Sequence, residues 1–270
     1  MATFTIAGWA LERDINGGIV GVADVWLVVA PPDSDTTFSY SILTQTGDIP
    51  DVEIFPENLP AQIFFNGFPS PSLEAGAATT VSLGQATSSQ GTHVILALED
   101  ESTFTGQTTS IEFVFQIGGD PLVVNSTVAD WIDLENSTTS MGPIDATDPF
   151  GPGQSIDLKN LANTVQGPVQ IQGTDDQPDY LFGTIGDNII VTGDASAQGD
   201  YVVASQGDDD IDMTGMNQSD AFVILDYGMM NEGITATIDG PANTGTVDKG
   251  ANGTDTLLAR IMHEGLVRVA

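Results

Sequence analysis

The stretch VVASQGDDDIDMTG, residues 202–215, sets Asp208, Asp209, Asp210 and Asp212 around one apolar residue, Ile211. Carboxylates about 6 Å apart repel by about 0.7 kcal/mol per pair in water, and by several times that near a protein surface. No lysine or arginine lies between Asn160 and Asp248 to offset them. A run of this kind is accommodated as a solvated loop or around a cation, and the flanking sequence has to decide between the two.

The flanks are periodic. The element Asp/Asn-x-apolar recurs at Asp179-Tyr180-Leu181, Asn188-Ile189-Ile190, Asp200-Tyr201-Val202, Asp209-Asp210-Ile211 and Asp220-Ala221-Phe222. The steps between the polar residues are 9, 12, 9 and 11. Gly186 and Gly207 each stand two residues before a polar position, with Asp187 and Asp208 between. Residues 167–226 contain no Glu, Lys or Arg. Apolar residues at a fixed place in a nonapeptide point inward from short strands, and glycines permit tight turns with φ > 0. Stacked turns then place their carboxylates in a row. Glycine-turn carbonyls and carboxylates make an all-oxygen set, which favours Ca²⁺ over transition metals. Two repeats apart, Asp179 with Asp200, Asn188 with Asp209, and Asp200 with Asp220 are expected to share an edge.

At these residues the sequence resembles the RTX family, the hemolysin-type calcium-binding repeats, whose nonapeptide is Gly-Gly-x-Gly-x-Asp-x-apolar-x. GTIGDNIIV (183–191) matches the first and fourth glycines and the apolar eighth position, with Thr184 for the second glycine and Asn188 for the aspartate. ASQGDDDID (204–212) keeps Gly207, Asp209 and Ile211, and ASAQGDYVV (195–203) keeps Asp200 and Val202. The resemblance spans residues 173–226, and TGTVDKGANGTDTLLARI downstream is similar to segments that flank such repeats. It implies a parallel β-roll with Ca²⁺ in its turns, and export by a bacterial type I system without an N-terminal signal. The metal ligands it implies are Asp179, Gly186, Asp187, Asn188, Asp200, Gly207, Asp208, Asp209 and Asp220.

Residues 3–120 read as strands. They are short runs rich in β-branched and aromatic residues, broken by Pro, Gly, Asp and Ser. In SIEFVFQI, Ile111, Phe113, Phe115 and Ile117 fall on one face. Trp9 and Trp26 are expected in the core rather than on a sugar-stacking platform. STVADWIDLENS (126–137) reads as a helix with Ser126 or Thr127 as its N-cap. TTSMGPIDATDPFGPGQS (138–155) reads as a Pro/Gly-rich linker. The expected fold is therefore all-β: an antiparallel β-sandwich (1–120), a short helix and linker (121–166), and the RTX-like roll with C-terminal strands (167–270).

Of the 270 residues, 38 are acidic and 5 basic, a formal charge of −33, which argues against nucleic acid and anionic membrane surfaces as partners. Cysteine is absent, removing disulfides and thiol chemistry, and the only histidines are His93 and His263. No apolar run reaches a membrane span of about 20 residues. The N-terminal MATFTIAGWALERD lacks a basic n-region followed by an apolar h-region, so no secretory signal is expected there.

HEGLV (263–267) has Val267 where the zinc motif needs its second histidine. No nucleophile elbow or phosphate-binding loop occurs. Acid pairs such as Asp51/Glu53 are too common in this chain to single out a glycosidase. The expectation is an extracellular, calcium-binding, non-enzymatic protein that folds as Ca²⁺ neutralises the aspartate row. Its other expected partners are a surface polysaccharide or further copies of itself. The alternatives are a carbohydrate-binding module or non-catalytic part of a secreted hydrolase or lyase, and a Ca²⁺-bridged surface-layer or filament subunit.

Overall fold

The computed structural model describes residues 2–31, 35–44, 48–56, 59–65, 68–69, 79–100, 110–175, 177–193, 199–215, 222–230, 232–239, 242–259 and 267–269. The fold is all-β with one α-helix. The chain divides into two compact units, one of residues 4–28 and 35–166, the other of residues 1–3, 29–34 and 167–270.

The first unit holds β1 (Phe4–Arg13), β2 (Ile19–Val29), β3 (Thr37–Thr44), β4 (Asp51–Phe55), β5 (Ala61–Phe65), β6 (Phe68–Pro69), β7 (Thr79–Ser88), β8 (Gly91–Asp100) and β9 (Ser110–Gly119). Helix α1 (Val128–Ser137) follows, then β10 (Ser140–Gly142), β11 (Ile156–Asp157) and β12 (Thr164–Gln166). The sheet path runs β11-β3-β4-β7-β8-β9-β1-β2-β5-β6. Its central strand β9 is buried on both faces. Phe113, Phe115 and Ile117 lie on one side, and Val114 on the other joins Leu11, Ile19, Ile95 and Trp131. Trp131 comes from α1, which Thr127 caps by accepting the Asp130 N–H at 3.2 Å.

The stretch read as helix and linker belongs to this unit. Strand β10 pairs with β7, β11 with β3 and β12 with β1. Ile144, Ile156, Leu158 and Leu161 are buried, and Tyr40 Oη donates to Phe150 O at 2.9 Å. The prolines and glycines mark turns within a packed segment. Trp9 is half-buried and meets Trp131 edge-on at 5.4 Å. Trp26 departs from its expected core position and is 42% exposed. The alternation along β2 buries Val25 and Leu27 and turns Trp26 outward with Val20 and Asp24.

The second unit holds β13 (Val169–Gln172), β14 (Tyr180–Phe182), β15 (Asn188–Val191), β16 (Asp200–Val203), β17 (Asp210–Met213), β18 (Val223–Asp226), β19 (Thr235–Asp239), β20 (Thr244–Asp248), β21 (Thr254–Ala259) and β22 (Val267–Val269). From β13 to β18 successive strands alternate between two parallel ladders. One is β13-β15-β17-β21 and the other β14-β16-β18-β22. The hairpin β19–β20 is inserted before β21 and extends the first ladder antiparallel. Leu181, Ile190, Val202, Ile211, Leu225 and Leu257 fill one common core. These are the apolar positions of the repeat, with Leu225 in place of Phe222. Among the described residues, no helix is long and apolar enough to cross a membrane.

Candidate functional site

The repeat aspartates are hydrogen-bonded to the backbone of neighbouring turns. In the first ladder Asn188, Asp209 and Asp255 stack just before or at the start of β15, β17 and β21. Asp209 Oδ1 accepts the backbone N–H of Asn188 at 2.9 Å, and Asp255 Oδ1 accepts that of Asp209 at 3.3 Å. The preceding residues run the other way. Asp187 Oδ1 accepts the Asp208 N–H at 2.9 Å, and Asp208 Oδ1 accepts the Thr254 N–H at 2.8 Å. Neighbouring carboxylates thus tie each turn to the turns on either side.

Glycine makes the stacking possible. A Cβ on Gly207 (φ +99°) would lie 2.5 Å from the Gly186 carbonyl carbon, and one on Gly253 (φ +106°) 2.2 Å from Gly207 O. Gly207 and Gly253 therefore serve close backbone approach, whereas a Cβ on Gly186 would meet the Thr3 side chain. Gly186 O accepts the Asn188 side-chain amide.

The charge of this edge is balanced by a side chain. Lys249 is fully buried, and its Nζ pairs with Asp209 Oδ2 at 3.1 Å and with Asp255 Oδ1. The same ammonium donates to Ser205 O at 2.7 Å. Tyr227 Oη donates to Asp255 Oδ2 at 2.7 Å. The Asn188 amide gives Asp209 Oδ1 a further bond at 2.8 Å. Burial holds the Asp209 carboxyl well above the usual carboxylate range. Lys249 opposes this shift and Asp255 adds to it. Burial and the Asp255 charge push the Tyr227 hydroxyl up as well.

A calcium ion takes about six to eight oxygens. The oxygens of Asp209 and Asp255 are already held by an ammonium, backbone N–H groups and a phenol. The Asn188–Asp209–Asp255 edge therefore does not fit Ca²⁺.

The second ladder repeats the arrangement without the lysine. Asp200 Oδ1 accepts the backbone N–H of Asp179 at 3.1 Å. Asp200 is buried, 1% exposed, and its Oδ2 has no hydrogen-bond partner among the described residues. Burial pushes its pKa up to about 6; the Asp179 N–H opposes the shift and the Asp179 charge adds to it. Asp179 is half-buried and accepts the Thr174 N–H at 2.6 Å. Thr174 Oγ1 also bonds both Asp179 oxygens, so of this pair Asp200 Oδ2 is the oxygen left open, a hard donor close to a second carboxylate charge.

The third expected ligand of this edge, Asp220, lies outside the described residues. The residue opposite Asp200 in β18 is Val223, so register does not place Asp220 in that position. Among the described residues, no three His, Cys, Asp or Glu side chains converge on one metal position. His93 is buried and bonded to Ser88 Oγ at 2.9 Å and Asp120 O at 2.8 Å, a structural histidine.

The sequence reading missed Asp255; it pairs Lys249, with Arg260 and Arg268, with the acidic roll in general and does not single out Asp209 as its buried partner. The signal for Asp255 was present: Gly253-Thr254-Asp255-Thr256-Leu257 repeats the spacing of Gly207-Asp208-Asp209-Asp210-Ile211. Comparison with protein-family models, with curated proteins and with solved structures gives no match.

Proposed function

We propose that this is a non-enzymatic, extracellular calcium-binding protein whose residues 167–270 form an RTX-like β-roll with one charge-balanced edge and one ion-binding edge. The observation that carries this reading is that the buried Asp200 Oδ2, near Asp179, has no hydrogen-bond partner among the described residues. An ionised carboxylate left without a partner in the interior is costly, and a divalent cation between Asp200 and Asp179 removes that cost. Binding to the folded state alone then stabilises the fold, by about 2.7 kcal/mol at a free ion concentration 100 times Kd. Export by a type I route, followed by folding where Ca²⁺ is abundant, follows from this linkage. The all-β unit of residues 4–28 and 35–166 serves as the interaction or assembly module.

The test is thermal unfolding followed by far-UV circular dichroism in EGTA, in Ca²⁺ and in Mg²⁺. Ca²⁺ is expected to raise Tm selectively in the wild type and not in Asp200→Asn. Equal melting in all three buffers would remove the calcium reading.

A second reading, binding of a surface polysaccharide, rests on the pair Tyr180 and Tyr201. Their rings are 5.3 Å apart and tilted by 32°, and Tyr180 is 65% exposed. Affinity electrophoresis in acidic and neutral polysaccharides, wild type against Tyr180→Ala, checks it. Retardation lost in the variant supports it, and unretarded wild type rejects it.

A further inference from the structure

Lys249, Asp209 and Asp255 are three ionisable side chains shut away from water, with side-chain exposures of 0%, 1% and 0%. They sit against the apolar core that contains Tyr227, Val247 and Leu257. Lys249 Nζ touches Asp255 Oδ1 and lies 3.1 Å from Asp209 Oδ2. Both oxygens of Asp255 are engaged by further donors: Oδ1 by the Asp209 N–H at 3.3 Å and Oδ2 by the Tyr227 hydroxyl at 2.7 Å. These bonds hold the carboxyl plane fixed and draw electron density from Cγ. An amine, a polarised carboxyl and a second acid touching the amine are the groups that amide formation needs.

We propose that Lys249 and Asp255 become joined by an intramolecular amide, Nζ to Cγ, with Asp209 as the catalytic proton-transfer residue. A proton first moves from the ammonium to the Asp255 carboxylate, giving an uncharged amine and an uncharged acid. The transfer leaves both partners uncharged where isolated charge is costly. The amine lone pair attacks Cγ, and the Asp209 N–H and Tyr227 O–H stabilise the oxygens of the tetrahedral intermediate. Asp209 Oδ2 takes a proton from Nζ and delivers it to the departing oxygen. One C–N bond forms and one C–O bond breaks. Two hydrogens from nitrogen leave with the oxygen as water, and no oxidant or cofactor takes part. Fixed contact between the reactants replaces a bimolecular encounter, worth on the order of 10⁵ M or more in effective concentration.

The product suits its place. Lys249 follows β20 and Asp255 lies in β21, so the bond staples the turn between two antiparallel strands. One positive and one negative charge vanish from the interior, removing the desolvation cost of that pair, while Asp209 keeps the Asn188 backbone N–H and side-chain amide as donors. The inference is independent of calcium binding, which concerns the other ladder.

Intact mass spectrometry of the full chain in denaturant tests it, together with tryptic mapping. The expected wild-type mass is the sequence mass less one water, with no tryptic cut after Lys249 and no fragment ions between residues 249 and 255. Lys249→Met should show its full sequence mass. Asp209→Asn, with folding checked by circular dichroism, should also show full mass or accumulate the product at least tenfold more slowly. Should that variant not fold, an Asp209→Glu chain supplies the test, since it keeps an acid and should still lose water. A wild type at full mass that trypsin cuts after Lys249 would overturn the proposal. So would a water loss mapped elsewhere, such as a succinimide at Asp239-Gly240. Bond formation in Asp209→Asn at the wild-type rate would overturn the role given to Asp209.

Discussion

Asp200 and Asp209 hold equivalent places in the two ladders, each accepting the backbone N–H of the residue 21 positions before it. They differ in their second oxygen. Asp209 Oδ2 receives the Lys249 ammonium, while Asp200 Oδ2 receives no donor among the described residues. The same turn chemistry therefore yields one edge that holds a buried ammonium and one that, among the described residues, holds none.

Asn188 stands where the RTX repeat has aspartate, and restoring the aspartate should harm this protein. The Asn188 amide donates to Asp209 Oδ1 and to Gly186 O. A carboxylate there turns a donor into an acceptor and faces Asp209 inside the fold. Asn188→Asp should lose about 2–4 kcal/mol at neutral pH, more than an ordinary hydrogen-bond deletion. Urea unfolding at pH 7 measures this, and a loss below about 1 kcal/mol would contradict the account.

Stability should fall as pH rises from about 4 to about 6 in EGTA. Folded Asp200 keeps its proton until about 6, against an ordinary value of 3.8. In that window the unfolded chain binds fewer protons than the folded one, so the slope is negative. Raised Asp209 adds to the slope in the same direction. Asp35, Asp145 and Asp157 are lowered by hydrogen bonds from Thr37, Thr147, Thr36 and Lys159. Their contribution is complete above the ordinary carboxylate pKa and lost only below it. Melting temperatures across pH 4–7 should therefore fall less steeply in Asp200→Asn, and in the wild type with saturating Ca²⁺, the remaining slope being that of Asp209.

The winding was legible because its signal is local: an apolar residue two after each turn aspartate fixes which side chains face inward. The pairing of Asn188 with Asp209 followed from that spacing. Val223 rather than a carboxylate stands opposite Asp200 because the steps are unequal. Leu181 and Val202 are partners 21 residues apart, but Val202 and Leu225 are 23 apart, which moves Val223 into the aspartate position. The charge balance was hidden by topology. Hairpin β19–β20 separates Asp209 from its stacking partner Asp255 by 46 residues, and only the folded ladder brings Lys249 between them. Trp26 was misread because aromatic character alone does not say which face of a strand is buried.

Gly207→Ala should be among the most damaging small substitutions. The residue combines φ +99° with a Cβ position 2.5 Å from the Gly186 carbonyl carbon, so backbone strain and a clash with backbone add. A loss of about 2–4 kcal/mol is expected. Gly17→Ala, also at positive φ but with nothing within 4 Å, should pay for the strain alone. Comparing the two by urea unfolding separates crowding from conformation. Equal losses would mean that the glycine stack is not tightly packed.

Lys249→Met keeps much of the side-chain bulk and removes the positive charge. Asp209 and Asp255 then remain buried with no cation, an arrangement that costs about 3–5 kcal/mol. The deficit should shrink as pH falls and both carboxyls take up protons. It should also shrink in the triple variant Lys249→Met, Asp209→Asn, Asp255→Asn, because neutral amides still accept the Asn188 and Asp209 backbone N–H groups without needing a counter-charge. Recovery of at least half the lost stability in the triple variant is expected from urea unfolding at pH 7. If the triple variant is no more stable than Lys249→Met, the loss belongs to packing around the lysine stem or to the missing Lys249–Asp255 amide, and the charge account of this edge is wrong.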